Sequence, residues 1–203
     1  MVKKWFLILV SLTLFVEVTG QQSRLQEAFS QSYKLEAAAD YKNAVSVLSQ
    51  VYEENNYYVN LRLGWLSYLA GDQTYAVAYY KKAIKQMPLS IEARLGIAYP
   101  LSVLGNWDQI INYYLEILKI DPNHSLTNFR LGSIYYNRGK YDKARVYLEK
   151  VVNLYPFDYD SLLLLAWTKL NLGQYGEAQA LFQTVLLNRP NDESALSGLS
   201  KIN

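Results

Sequence analysis

The chain has 203 residues, no cysteine, a single histidine and a formal net charge of +2. Hydrophobic residues make up 51% of it and charged residues 19%, a balance that produces a globular rather than a disordered chain. This composition excludes disulfides, thiolate catalysis and iron–sulfur ligation, and so small a charge provides no electrostatic attraction to nucleic acid or to an anionic membrane.

Residues 1–20 have the layout of a secretory signal. Lys3 and Lys4 supply the positive end, Trp5 to Val16 is a nearly continuous apolar run, and Val18-Thr19-Gly20 places short side chains where a signal peptidase reads. Glu17 interrupts the apolar run well short of the roughly 20 residues that span a bilayer. Cleavage after Gly20 is therefore the expectation, with a retained membrane anchor as the alternative. Loss of Lys3, Lys4 and Glu17 from twenty basic and eighteen acidic residues leaves the mature chain close to neutral.

Beyond this segment the chain is periodic. Pro88, Pro122, Pro156 and Pro190 recur every 34 residues, as do Gly71, Gly105, Gly139 and Gly173. An aromatic residue follows most of these glycines: Trp107, Tyr141 and Tyr175. A glycine just past a helix takes the left-handed conformation that closes it, and a proline beyond a second helix cannot continue that helix. Each unit therefore reads as helix A, a glycine turn, helix B and a proline turn. In chain order the units are residues 25–56, 57–90, 91–124, 125–158 and 159–192, with a C-terminal capping helix over 193–203.

The first unit is degenerate. Tyr41, Ala44, Leu48 and Val51 suit its second helix, but it is two residues short, lacks the proline, and has Ala39 in place of the hinge glycine. In the third unit Pro100 falls inside helix A, where it removes a hydrogen bond to Gly96 and should kink the helix. Helix A carries a small residue seven before the hinge (Gly64, Ala98, Gly132, Ala166), which lets helix B of the same unit approach closely. The last helix should be capped by Asn191 or Asp192.

Leu131-Gly132-Ser133-Ile134-Tyr135, Gly139, Tyr141, Ala144, Leu148, Val151 and Pro156 resemble the tetratricopeptide repeat nearly throughout, and the resemblance covers about residues 57–192. It implies an all-α fold, an α-solenoid of about five helix-turn-helix repeats with a capping helix at the C-terminus. One departure stands out. Where that family often places a tryptophan, three residues before the Leu-Gly pair, this chain has Asn60, Arg94, Asn128 and Leu162.

No chemistry-bearing motif accompanies the repeat. His124, alone of its kind, falls in an inter-repeat turn and reads as a solvated turn residue; Asp40, Asp72 and Asp108 read as helix caps. There is no phosphate-binding glycine loop, nucleophile elbow or kinase signature. The expectation is a protein without catalytic residues, metal or cofactor.

Resemblance to the family implies a concave surface lined by helix A that receives peptides or partner helices. Two rows on helix A would face it: Tyr33, Trp65, Tyr99, Ser133, Trp167 and Glu36, Tyr68, Ser102, Tyr136, Leu170. Six of these ten are Tyr or Trp, against 14% aromatic residues in the whole chain. Tyr33, Trp65, Tyr68, Tyr99, Tyr136 and Trp167 are thus the candidate partner-binding residues, since such rings combine contact area with a polar handle. The competing reading is that they pack between neighbouring A helices. A third row, Phe29, Leu61, Leu95, Phe129 and Leu163, reads as inter-repeat core, and an outer row, Val47, Tyr79, Tyr113, Tyr147 and Leu181, as a second patch or as packing. Relatives that grip acidic chaperone tails carry Lys and Asn in the groove rows, and these are absent here.

The expected function is protein–protein interaction in the periplasm, cell envelope or extracellular space, by an aromatic groove that takes a protein or peptide partner. The alternative is an envelope glycan-binding module with the same groove, helped by Arg62, Arg130, Asn137 and Asn171. Nucleic acid is not an expected partner, and membrane contact is expected only if residues 1–20 stay attached. N-terminal sequencing of the protein from its native host should read Gln21 or a residue close to it; an intact Met1-to-Gly20 segment on a membrane-bound product would show the anchored form instead.

Overall fold

The computed structural model describes residues 22–202, so the expected leader and its cleavage point lie outside the described residues. Among the described residues every regular element is a helix: α1 (22–37), α2 (Tyr41–Ser49), α3 (Tyr57–Leu69), α4 (Gln73–Gln86), α5 (Ile91–Val103), α6 (Trp107–Ile120), α7 (Ser125–Asn137), α8 (Tyr141–Leu154), α9 (Tyr159–Asn171), α10 (Tyr175–Asn188) and α11 (Glu193–Ser200). The fold is an all-α solenoid of helix-turn-helix repeats. None of the described helices is long and apolar enough to cross a membrane.

Two compact units divide the chain, Met1–Ile110 and Ile111–Asn203. In the first, Ala28, Ala44, Leu48, Val59, Leu63 and Leu66 form a buried core that joins α1, α2 and α3. In the second, Leu162, Ala166, Ala178, Phe182, Val185 and Ala195 join α9, α10 and α11. The last helix thus buries its Ala195 against the repeat before it.

The hinges follow the glycine argument. Gly71, Gly105, Gly139 and Gly173 have φ of 86°, 72°, 67° and 72°. After each, the next N–H reaches back to the last turn of helix A, as Asp72 N does to the Ser67 carbonyl at 2.8 Å and Lys140 N to that of Tyr135 at 2.9 Å. Ala39 adopts the same geometry at φ 57°, and Asp40 N donates to the Leu35 carbonyl at 2.8 Å. The degenerate first turn is therefore built like the others, with the left-handed strain that a β-carbon brings.

Polar side chains complete the inter-repeat turns, a pattern the sequence reading caught only at Asp192. Asn56, Ser90, His124, Asp158 and Asp192 stand 34 residues apart, and each accepts a hydrogen bond from the backbone N–H three residues on. His124 is therefore not a solvated turn residue. Its Nδ1 takes the place of a carboxylate oxygen, 3.3 Å from the Thr127 N–H, and the ring is half-buried. Asp40 and Asp72 do precede helices, but their side chains make no cap bond, and Asp108 lies within the first turn of α6.

The missing tryptophans have a related explanation. Asn60 Nδ2 donates to the carbonyls of Glu54 and Asn56 at 2.8 and 2.9 Å, and Asn128 Nδ2 to those of Pro122 and His124, both at 3.1 Å. Arg94 Nη1 donates to the Ser90 carbonyl at 2.9 Å. These buried side chains hold the turn by bonding its carbonyls, where the family pattern has a tryptophan.

Packing turns on one large side chain in helix B. Tyr80 of α4 lies between two A helices: a β-carbon built on Gly64 of α3 would sit 3.0 Å from its ring, and one on Gly96 of α5 only 2.3 Å. Gly96 serves this approach, and α5 runs on as one helix through Pro100. Leu148 of α8 rests on Gly132 of α7, where a β-carbon would meet it at 2.6 Å, and Phe182 of α10 on Gly198 of α11, at 2.2 Å. Arg130 replaces the glycine opposite Tyr114, and the contact becomes a hydrogen bond from Nη1 to the hydroxyl at 3.1 Å.

These contacts predict opposite outcomes for two glycine substitutions in the same unit. Gly198→Ala should cost roughly 1–3 kcal/mol, because its methyl group collides with the Phe182 ring, and Phe182→Leu in the same chain should recover part of the loss. Gly176→Ala, at a helical glycine with no atom within 4 Å of the added carbon, should stabilise by about 0.5–1 kcal/mol. Denaturant midpoints of the variants measure both.

Candidate functional site

In residues 22–110 the A helices α1, α3 and α5 enclose an open pocket of about 650 Å³. Tyr33, Trp65 and Tyr99, taken from the first aromatic row, line it together with Tyr57, Tyr58 and Tyr80. Tyr68 completes a cluster of three touching rings. It lies 5.6 Å from Trp65 and 5.6 Å from Tyr99, and Trp65 meets Tyr99 edge-on at 5.9 Å. Tyr33 and Tyr99 are exposed, while Trp65 and Tyr68 are half-buried. Phe29, Leu61 and Leu95 are not enclosed core as expected; they are half-buried and line this pocket as its apolar floor. For Leu61 and Leu95 the wedge is the reason, because Tyr80 fills the space between α3 and α5.

Beside the rings lies a buried ion pair. Arg62 Nη1 and Glu36 Oε2 are 2.5 Å apart, with the two side chains 8% and 23% exposed. Glu36 also accepts from Trp65 Nε1 at 2.6 Å, and Arg62 Nε donates to Ser32 Oγ at 3.2 Å. The guanidinium lies 3.8 Å from the centroid of the Tyr33 ring, and its Nη2 has no hydrogen-bond partner. Glu92, on the second residue of α5, is exposed at the pocket's edge, 3.4 Å from the Tyr57 hydroxyl. Burial first, then the nearby Tyr99, Glu92 and Tyr68, push the Tyr80 phenol well above the ordinary tyrosine value, so this lining hydroxyl stays protonated.

Residues 111–202 bring the other two candidates together. Tyr136 and Trp167 line a shallower pocket of about 430 Å³ with Phe129, Leu163, Leu164 and Asp160. Trp167 sits edge-on to Phe182 at 5.3 Å and donates from Nε1 to Ser194 Oγ at 3.0 Å. Tyr136 meets Tyr141 at 5.4 Å, and burial, then Tyr141, raises its phenol pKa. The outer row is packing where its contacts are described: Tyr79 meets Tyr52 at 5.8 Å, and Tyr147 stacks on Tyr135 at 5.6 Å. Among the described residues no group of three or more His, Asp or Glu side chains converges as a metal site would.

Tetratricopeptide repeat models match residues 58–90, 113–146 and 138–202, together more than half of the chain. The chain belongs to the tetratricopeptide repeat family. A solved tetratricopeptide repeat protein from Parabacteroides merdae superposes with a TM-score of 0.75 at 20% identity, over 89% of this chain and 72% of that one. A crystal structure of MamA protein superposes with a TM-score of 0.72 at 19% identity, over 84% and 94%. Identity this low carries the fold alone. The TPR repeat-containing thioredoxin TTL4 of Arabidopsis thaliana is 29% identical over 87 residues, which are 43% of this chain and 13% of that protein. The chain therefore spans only a small part of that relative's length.

The residues missed by sequence reasoning share one register in the repeat. Tyr58, Glu92, Leu126 and Asp160 recur at the second position of successive A helices, a row that the 34-residue period already contained. The Glu36–Arg62 pair had no such signal, because it joins two helices through a contact that occurs in one repeat. Glu36→Ala should leave Arg62 charged and unpaired in its buried position and cost about 3 kcal/mol or more. Adding Arg62→Met should restore much of that loss, and urea unfolding of the single and double variants measures the coupling.

Proposed function

We propose that this chain is an exported, non-enzymatic scaffold that binds an extended or helical segment of a partner protein on the A-helix face of residues 22–110. The observation that supports this reading best is the open 650 Å³ pocket walled by rings from three successive A helices. Concave, mostly apolar sites with a few placed polar groups are where proteins bind ligands, and Tyr and Trp anchors dominate such contacts. The lone imidazole caps a helix through its Nδ1. Export rests on the Lys3-Lys4 and Trp5–Val16 pattern, and places the partner in the periplasm, cell envelope or outside the cell.

Peptide is favoured over glycan by how the rings meet. Trp65, Tyr68 and Tyr99 are tilted by 37° to 74° to one another, which makes a cleft rather than the flat platform on which a sugar ring stacks. Of the four polar residues that would serve a glycan, three are committed internally: Arg62 to Glu36, Arg130 to the Tyr114 hydroxyl, and Asn171 to the Trp167 carbonyl.

Affinity capture from envelope extract with the mature chain as bait should recover a protein partner. Trp65→Ala should then weaken that partner's binding by roughly 2 kcal/mol or more, while Leu131→Ala, at a fully buried position, should cost about 2–5 kcal/mol of stability. If Trp65→Ala lowers the melting temperature as far as Leu131→Ala and its folded fraction binds normally, the rings are packing and the groove reading fails.

A further inference from the structure

We propose that the pocket of residues 22–110 selects a basic segment, seating a lysine or arginine side chain of the partner among its rings with Glu92 as the counter-charge. The inference rests on the groove reading above and names the chemistry of its occupant.

Two charged residues line this pocket, Arg62 and Glu92. The positive charge is already used. Arg62 is paired with Glu36, its side chain is 8% exposed, and Tyr33 stacks against it. The negative charge is open: Glu92 is exposed, and the contact at its carboxylate is the neutral Tyr57 hydroxyl at 3.4 Å. Ring faces carry the negative part of the aromatic quadrupole and attract a cation that comes within about 6 Å of a centroid. Rings and carboxylate therefore act in the same direction. An acidic segment would meet Glu92, and the one lining cationic donor without a hydrogen-bond partner, Arg62 Nη2, is buried and belongs to a guanidinium already paired with Glu36.

The other unit repeats the arrangement independently. Asp160 occupies the register of Glu92 two repeats on, and it lines a pocket with Phe129, Tyr136 and Trp167 that has no Lys or Arg among its lining residues. The chain's own cations also show the contact on the same aromatic row. Lys201 Nζ lies 4.7 Å from the Trp167 centroid, and the Arg62 guanidinium 3.8 Å from that of Tyr33. The whole chain carries a net charge of +2, so general electrostatics does not favour a cationic ligand. Selection has to come from the pocket, and neutralising one side chain should remove it.

The probes are three blocked Gly/Ser-spaced peptides identical except at two positions, which carry arginine, the uncharged isostere citrulline, or glutamate. Binding to the full mature chain is followed by NMR at the Trp65 indole N–H. The arginine peptide should shift this signal and saturate at a concentration about tenfold below that of the citrulline peptide. The glutamate peptide should bind more weakly than either. Glu92→Gln should reduce arginine binding by about threefold to tenfold and leave citrulline binding unchanged. Equal binding of arginine and citrulline at Trp65 would overturn the charge selection while the groove reading stands. Tightest binding by the glutamate peptide would overturn it as well. Failure of all three peptides to move the Trp65 signal would overturn both readings.

Discussion

The structure depends on a wedge. One large side chain of helix B enters between two A helices, and glycines on those helices let it in. In residues 22–110 the wedge is Tyr80, held between Gly64 and Gly96. An interior packed at crystal-like density has no slack for an extra methyl group, so the wedge and its glycines must change together. This constraint sets the spacing of α3 and α5. That spacing then decides that Trp65, Tyr68 and Tyr99 touch one another and that Leu61 and Leu95 remain at the surface as a floor. The apolar character of the pocket and its openness have one cause.

Around the wedge, polar side chains hold the turns. Asn56, Ser90, His124, Asp158 and Asp192 cap successive A helices, and Asn60, Arg94 and Asn128 bond the carbonyls of the turns before them. A further set ties neighbouring helices: the Tyr159 hydroxyl donates to Asp192 Oδ2 at 2.6 Å, and Lys169 Nζ lies 2.6 Å from both Glu149 and Glu177. Without disulfides, stability has to come from such contacts and from burial between adjacent repeats, which is the usual condition of a repeat array. Much of the polarity of the A helices is therefore spent on the fold.

The aromatic rows serve packing and surface at once. Trp65 and Trp167 each donate an indole N–H to a neighbouring helix, to Glu36 and to Ser194, while their rings line pockets. A half-buried ring held by a hydrogen bond has already given up its rotamer freedom, and such a ring loses little entropy when a partner covers it. Packing and binding are thus not exclusive at these positions. The fixed ring is the better anchor because the fold holds it.

The sequence by itself determined the helical class, the period, the hinges and the identity of six ring positions. Those features are local. A positive φ favours glycine at Gly71 or Gly139 whatever surrounds it, and a proline just beyond a helix lacks the N–H that would extend it. Only the tertiary structure decided which of those rings meet, that Phe29, Leu61 and Leu95 line a pocket, and that Arg62 is neutralised by Glu36. It also decided that His124 is a cap and that Asn60 and Asn128 replace the family's tryptophan by bonding turn carbonyls. The cap and the turn bonds are local contacts within six residues, whereas the ring contacts, the pocket floor and the ion pair depend on distances between helices that are far apart in the chain. No period or spacing in the sequence encodes such a distance, because it is set by how deeply one side chain wedges between two others.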